Sequence, residues 1–168
     1  MAGVCSPVTV ITTLDGERPR GATVSAFASL SLDPPLISVA LAEDSALLTS
    51  VRRTGRFAVN VLARSQEEEA LRFARRGVNR FAGTGWSLDE GLPRLVGSAG
   101  WLACEVAQTV RGGDHVLLFG LVTHAARADE LPLVYAQRRF GTHSALLPRP
   151  TPGASRWTPA ESITACSR

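Results

Sequence analysis

His115 stands directly after Gly112-Gly113-Asp114. Two glycines permit a tight turn, and Asp114 can hold an imidazole nitrogen in one orientation. A histidine so placed can bond or stack against a ligand ring in a cleft; it serves equally well as a turn histidine held by its neighbour. His124 sits inside an apolar run and reads as structural, whereas His143, just after Phe140-Gly141, either lines a site or faces water. Asp44-Ser45 opens a helical pattern. A capped helix start offers free N–H groups to an anion, although Asp44 itself opposes one. Arg80-Phe81 sets a cation beside an aromatic, and Arg138-Arg139 offers two more cations, for a dinucleotide's phosphates or for water. No nucleophile stands beside a base and no carboxylate pair is evident. That leaves chemistry which bound cofactors supply and the protein aligns, such as hydride transfer.

A second feature is the run Arg20 to Pro35, in which Gly21, Ala22, Thr23, Ser25, Ala26, Ala28, Ser29 and Ser31 are all small. A backbone with few bulky side chains can be approached closely, so its N–H groups and the hydroxyls of Thr23, Ser25 and Ser29 are available to a flat, polar-edged ligand. Asp33-Pro34-Pro35 ends the run, because proline removes donors and restricts the residue before it. The same composition also suits an ordinary Ser/Ala-rich strand pair.

The elements that must position these residues are mostly strands. Val8 to Thr13 is β-branched throughout and Asp15-Gly16 is a turn signal, so Arg20 to Ser25 returns as a hairpin partner. Leu36 to Leu41 is a further apolar strand. A helix is expected over Ala46–Thr54, capped by Asp44 or Ser45 and stopped by Gly55. Arg56 to Leu62 alternates as a strand. Ser65 and Glu68 have the spacing of a capping box, for a helix that runs on to Arg75-Arg76-Gly77 with acid first and base last. Glu67, Glu68 and Glu69 are a solvated charge run. Asn79 to Leu95 reads as a glycine-rich loop anchored by Trp86. Trp101–Val110 and Val116–Ala125 are strands joined around Gly113, and Leu131–Tyr135 is the expected last strand. The result is a mainly β fold, an antiparallel barrel with helical additions. Gly83-Thr84-Gly85 starts like a dinucleotide fingerprint, but it follows no strand and Leu88 occupies the third glycine position.

Composition bounds the rest. The chain has 168 residues, 45% hydrophobic and 20% charged, enough for one domain with a real core. Its cations are all arginine, and the formal net charge of +3 argues against nucleic acid while suiting phosphorylated cofactors. Cys5, Cys104 and Cys166 form no close pair and have no metal-ligand spacing; Cys104 reads as a buried thiol. No segment is long and apolar enough to cross a membrane, and no signal peptide is apparent, so cytoplasm is the expected compartment. One domain over residues 1–147 is expected, followed by a Pro/Ser/Thr-rich mobile tail over 148–168.

The run Gly21 to Val39 resembles the flavin-binding segment of the short-chain NAD(P)H:flavin reductases, the reductase components of two-component flavin-dependent monooxygenases. Gly55-Arg56-Phe57-Ala58-Val59-Asn60-Val61-Leu62, Arg80-Phe81-Ala82-Gly83 and Gly113-Asp114-His115 follow in the order of that family. The resemblance covers Val8 to Gly141; in place of the usual N-terminal helix and lead-in stands Gly3-Val4-Cys5-Ser6-Pro7. It implies a flavin-binding split β-barrel that works as a homodimer, with FMN or FAD near the subunit interface and NADH or NADPH as reductant. It also implies an oxygenase partner that receives the reduced flavin. On this resemblance Thr23, Val24, Ser25, Ala26, Ser29 and Ser38 belong to the flavin wall. Ser45 lies near the flavin phosphate, and Arg80 and Phe81 near its phosphate or ribityl end. Asp114, His115, Arg139 and Phe140 belong to the nicotinamide side, with His115 as the catalytic candidate. Two other readings share the fold: a pyridoxamine-phosphate oxidase-like enzyme, which needs no NAD(P)H, and a non-catalytic flavin- or haem-binding module.

Overall fold

A computed structural model describes residues 3–143. The expected boundary at 147, the tail over 148–168 and Cys166 lie outside the described residues. The chain begins with a short strand, β1 (Ser6–Pro7), then β2 (Thr9–Asp15) and β3 (Arg18–Val24), which form the expected hairpin around Gly16 at a φ of 61°. β4 (Phe27–Leu32) turns at Asp33-Pro34 and pairs with β5 (Pro35–Ala42). Helix α1 (Ala46–Thr54) has the expected bounds. Ser45 Oγ accepts the Leu47 N–H at 3.2 Å, and Gly55, in the left-handed region at a φ of 69°, donates its N–H to Val51 O.

β6 (Arg56–Val61) leads to α2 (Glu67–Ala74), which departs from expectation at both ends. The N-cap is Gln66, with no side-chain cap bond. The Ser65–Glu68 capping box does not form because the chain enters the helix one residue later. Gln66 instead bridges outward: its Oε1 takes the Ala63 N–H at 3.0 Å and its Nε2 donates to Val96 O at 2.9 Å. The helix stops at Ala74, so Arg76 and Gly77 lie beyond it. The stretch read as a loop carries a small hairpin, β7 (Trp86–Asp89) and β8 (Leu92–Leu95), turned at Glu90-Gly91. Trp86 does anchor it, edge-on to Phe81 with ring centroids 5.5 Å apart. Two long strands follow, β9 (Gly100–Gly112) and β10 (His115–Arg127), then β11 (Val134–Ala136) and β12 (Arg139–Gly141). The expected last strand thus starts later than Leu131 and is followed by another. Leu131 and Leu133 instead bond the backbone of Arg64 and Leu62.

Seven strands make one antiparallel sheet in the order β3-β2-β6-β9-β10-β5-β4. Ile11, Val24, Val39, Leu41, Phe57 and Leu118 come from strands across that whole order, yet they share one core with Leu47, Leu48 and Val51 of α1. Strands so far apart in a sheet can meet only if the sheet curls. β3 and β5 approach each other without forming a ladder, so the barrel is split between them. β2 is buried on both faces, which explains its unbroken β-branched run: Ile11 points inward, while Val10 packs outward with Phe73, Phe81 and Leu95 under α2. Cys104 is buried in the main core, and burial pushes its thiol up to about 12. No helix among the described residues is long and apolar enough to cross a membrane.

Candidate functional site

The split in the barrel opens into a cleft of about 520 Å³. One wall is the end of β3 and the link to β4: Ala22, Thr23, Val24, Ser25 and Ala26. The facing wall is the end of β5, Ala40 to Ala42, and the start of α1, Asp44 to Leu47. Phe73, Ala74, Arg76, Gly77 and Arg80, from the end of α2 and the turn after it, close the third side, and His115 stands at the rim.

Each wall has a local cause. Ser25 and Ala26 fall between two strands, and the Ala26 carbonyl takes the Ala40 N–H at 3.0 Å, which ties the two walls together at one point. Thr23 is half-buried, and its hydroxyl donates to Ala70 O of α2 at 2.6 Å. Its single proton is therefore engaged, and towards a ligand the oxygen can only accept. Gly21 lets α2 lie close: a Cβ there would come within 2.9 Å of the Phe73 ring. Arg80 is fixed from two sides, donating from Nε to Arg75 O at 2.7 Å and from Nη1 to Gly21 O at 2.6 Å. Burial, and then the nearby Arg76 guanidinium, hold Arg80 below the usual arginine range.

At the rim, the Gly113-Asp114 turn joins β9 to β10, with Gly113 at a φ of 67°. His115 opens β10 opposite Ala42, so the strand pairing places it beside the β5 wall. Its Nδ1 lies 2.8 Å from Asp114 Oδ1, and the imidazole side chain is 48% exposed, so its other nitrogen is open to a ligand. The Asp114 backbone carbonyl accepts the Glu43 N–H at 2.9 Å, and Arg111 pairs with Glu43, which pins the rim to the β5–α1 turn.

Thr23, Val24, Ser25, Ala26, Ser45, Arg80 and His115 therefore come together in one cleft. Ser29, Ser38, Phe81, Asp114, Arg139 and Phe140 are not among its lining residues. Ser29 is exposed on β4, and Ser38, paired across to Ala28, donates towards Ala28 O at 3.5 Å. Phe81 is buried against Phe73, the aromatic core position beside a cation. Arg139 and Phe140 sit on β12, with Phe140 packed on Tyr135. His124 is exposed on β10, 3.6 Å from Glu90. The cleft also takes in Arg76, which by sequence belongs to a basic helix end that complements the macrodipole; α2 stops before it.

The family described as "Flavin reductase like domain" matches residues 1–144. The chain belongs to that family. An NADH:FMN oxidoreductase of Rhodococcus erythropolis is 39% identical over 152 residues, 86% of this chain and 76% of the relative. A probable flavin reductase of Rhizobium meliloti is 39% identical over 137 residues, and the chain spans only 44% of its length. Among solved structures, a homologue of nitrilotriacetate monooxygenase component B from Mycobacterium thermoresistibile superposes with a TM-score of 0.83 at 31% identity, covering 90% of this chain and 87% of that one. The NADH:FAD oxidoreductase SgcE6 of Streptomyces globisporus, solved with NAD and FAD fragments, gives 0.81 at 32% identity over 85% of this chain and 88% of that one. The expected family, its split-barrel fold and its oxidoreductase class are thereby borne out. For a flavin reductase-like protein, a cleft walled by small residues at the barrel's split is an arrangement that lets a flat ring lie against backbone.

Proposed function

We propose that this flavin reductase-like chain takes FMN or FAD in the cleft along Thr23–Ala26 and binds NADH or NADPH over it from the His115 rim. What supports the reading is that residues assigned to a flavin and to a nicotinamide line the same 520 Å³ cleft. When bound, the two cofactors supply the redox chemistry, hydride from the reduced nicotinamide to the flavin ring. The protein's part is alignment. Thr23 Oγ accepts from a ring N–H, Ser25 and Ala26 offer backbone, and the apolar floor of Val24, Leu41 and Leu47 excludes water from one ring face. His115, steadied by Asp114, bonds the nicotinamide carboxamide through Nε2. Holding the two rings at contact distance accounts for most of the acceleration.

The cleft is open on the solvent side and its ligands are mostly backbone and hydroxyl groups, which suits a flavin that leaves after reduction. The recipient is an oxygenase component, in keeping with the monooxygenase component to which the chain is structurally similar. The working unit is a homodimer, in which a second copy covers the exposed β4 edge. The test is consumption of NADH and of NADPH with free FMN, FAD and riboflavin. Turnover with a free flavin is expected. Flavin binding without NAD(P)H consumption would replace this reading with that of a cofactor-binding module.

A further inference from the structure

Glu43 bonds the turn between β9 and β10 from both sides. Its backbone N–H donates to Asp114 O at 2.9 Å, and its carboxylate accepts from Arg111 Nη2 at 2.9 Å. Arg111 stands on β9 before the turn, and Asp114 is the last residue before β10. The start of β10 lies between the two other strands: His115 pairs with Ala42 of β5 on one side and with Gly112 of β9 on the other. Two strand spacings, about 10 Å, separate β5 from β9 there, a gap that two long side chains can span. The Arg111–Glu43 pair is therefore a strap across the first residue of β10. Arg111 pairs with Val116, the residue after His115, so strand alternation sets Arg111 on the face opposite His115. The strap runs behind the imidazole and leaves its ligand side open. Ala42, Asp44 and Ser45, the chain neighbours of Glu43, line the cleft, so Glu43 joins the cleft wall to the rim.

We propose that Glu43 is a positioning residue for the nicotinamide: through Arg111 it fixes the β9–β10 turn, and with it the place of His115 over the cleft, without touching either cofactor. This inference rests on the reading of His115 as the nicotinamide contact and adds what holds it there. His115 is the first residue of its strand, and the turn before it contains Gly113 in the left-handed region. A strand end that follows glycines opens at little cost, and the strap removes that freedom. Hydride transfer depends on holding the two rings at contact distance, so a small loosening of His115 reaches the rate. The side chains of Arg111 and Glu43 are 74% and 38% exposed, so the effect is modest and weakens with salt.

The experiment is flavin reduction by NAD(P)H in the full chain, with flavin Kd and melting temperature measured alongside. The variants are Glu43→Ala, Glu43→Gln, Arg111→Ala, the double Glu43→Ala/Arg111→Ala, and Glu43→Ala combined with His115→Ala. Both strap side chains reach solvent, so the variants should fold and melt close to the wild type. Glu43→Ala and Arg111→Ala should each lower kcat/KM for NAD(P)H about 2- to 5-fold, the size expected of one exposed ion pair, with flavin Kd unchanged. Glu43→Gln still accepts a hydrogen bond from Arg111 and should recover part of that loss. The double variant should be no worse than either single one, and Glu43→Ala should cause no further loss once His115 is replaced. The gap between wild type and Glu43→Ala should close with added salt. Losses that add in the double variant, or a Glu43→Ala effect that persists without His115, overturn the proposal. So does a lower melting temperature with unchanged NAD(P)H kinetics, which would leave the strap a structural role alone. A loss in Arg111→Ala with Glu43→Ala silent also overturns it, and would assign Arg111 to direct contact with the dinucleotide. If the wild type consumes neither NADH nor NADPH, the nicotinamide reading itself fails and this inference with it, a result distinct from the others.

Discussion

Asp114 and His115 are neighbours in the chain and partners in space: Asp114 Oδ1 and His115 Nδ1 are 2.8 Å apart. The bond leaves Nε2 as the nitrogen free to face the cleft. His115→Ala should therefore lower kcat/KM for NAD(P)H about 10- to 100-fold, the effect of one lost orienting contact, while flavin Kd changes little. Stopped-flow reduction and flavin titration on the same variant check this. Lost flavin binding with unchanged NADH kinetics at saturating flavin would move His115 to the flavin wall.

The same bond gives a pH dependence of definite sign. The His115 hydrogen bond first, and then attraction to its imidazole, hold the Asp114 carboxyl below its ordinary value of 3.8. A group depressed in the folded state contributes its stabilisation above the ordinary value and loses it as pH falls through the lower folded value. KM for NADH should thus be insensitive to this group at neutral pH and rise only in acid, below 3.8. Asp114→Asn should remove that acid limb. A limb that persists in the variant would belong to another carboxylate.

Thr23 joins the site to its support. The hydroxyl bond to Ala70 O ties α2 to β3 beside the cleft. Thr23→Val should cost about 1 kcal/mol of stability in a denaturant titration, with Thr23→Ser close to wild type. It should also raise flavin Kd, because the acceptor oxygen is gone. A normal flavin Kd in Thr23→Val would leave the hydroxyl with a structural role alone.

These relationships differ in how far the sequence disclosed them. Helix α1 was legible to the residue, because Ser45 and Gly55 are local signals that need no tertiary context. The His115–Asp114 bond was legible too, since adjacent residues after two glycines have few other arrangements. The end of α2 was not. Arg75 and Arg76 are good helix formers, yet Arg75 leaves the helix in an extended conformation, and its carbonyl is taken by Arg80 Nε five residues on. For the same reason Arg76 was read as a helix charge rather than a cleft residue. Phe81 shows the opposite error of emphasis, where a motif neighbour of Arg80 turned out to be buried against Phe73 and Trp86. The β7–β8 hairpin was hidden because its strands are short and the first of its two turn residues, before Gly91, is Glu90, a non-glycine residue at a φ of 50°.

Gly120 offers a test of the barrel itself. It lies on β10, and a Cβ there would come 2.5 Å from Phe57 Cζ and 3.1 Å from Cys104 Cβ. Phe57 is fully buried and cannot give way cheaply. Gly120→Ala should destabilise by about 1–3 kcal/mol through overpacking, read as a lower urea midpoint at unchanged slope. Phe57→Leu should relieve part of that loss when the two are combined, a non-additivity expected of residues in contact. Additive losses would mean that the clash is absorbed elsewhere.

The β4 edge carries the last prediction. β4 is the final strand of the seven-stranded order, so its outer backbone groups have no ladder partner among the described residues. Leu30 and Leu32 are 47% and 75% exposed on it. An apolar, unpaired edge is an association surface unless something covers it. A second copy of the chain can do so by a two-fold contact in which each β4 meets the same surface of its partner. Because Leu32 contributes little to the core, Leu32→Arg should leave the thermal stability of the isolated fold almost unchanged. It should convert a dimer to a monomer in sedimentation velocity, and the effect should grow when Leu30→Arg is added. The cleft wall at Ser25-Ala26 leads directly into β4, so, if the cleft holds the flavin as proposed, monomerisation should also raise KM for flavin. A wild-type chain that sediments as an active monomer would refute the dimer. A dimer unaffected by both substitutions would place its interface elsewhere, with the long β9–β10 hairpin the next surface to probe.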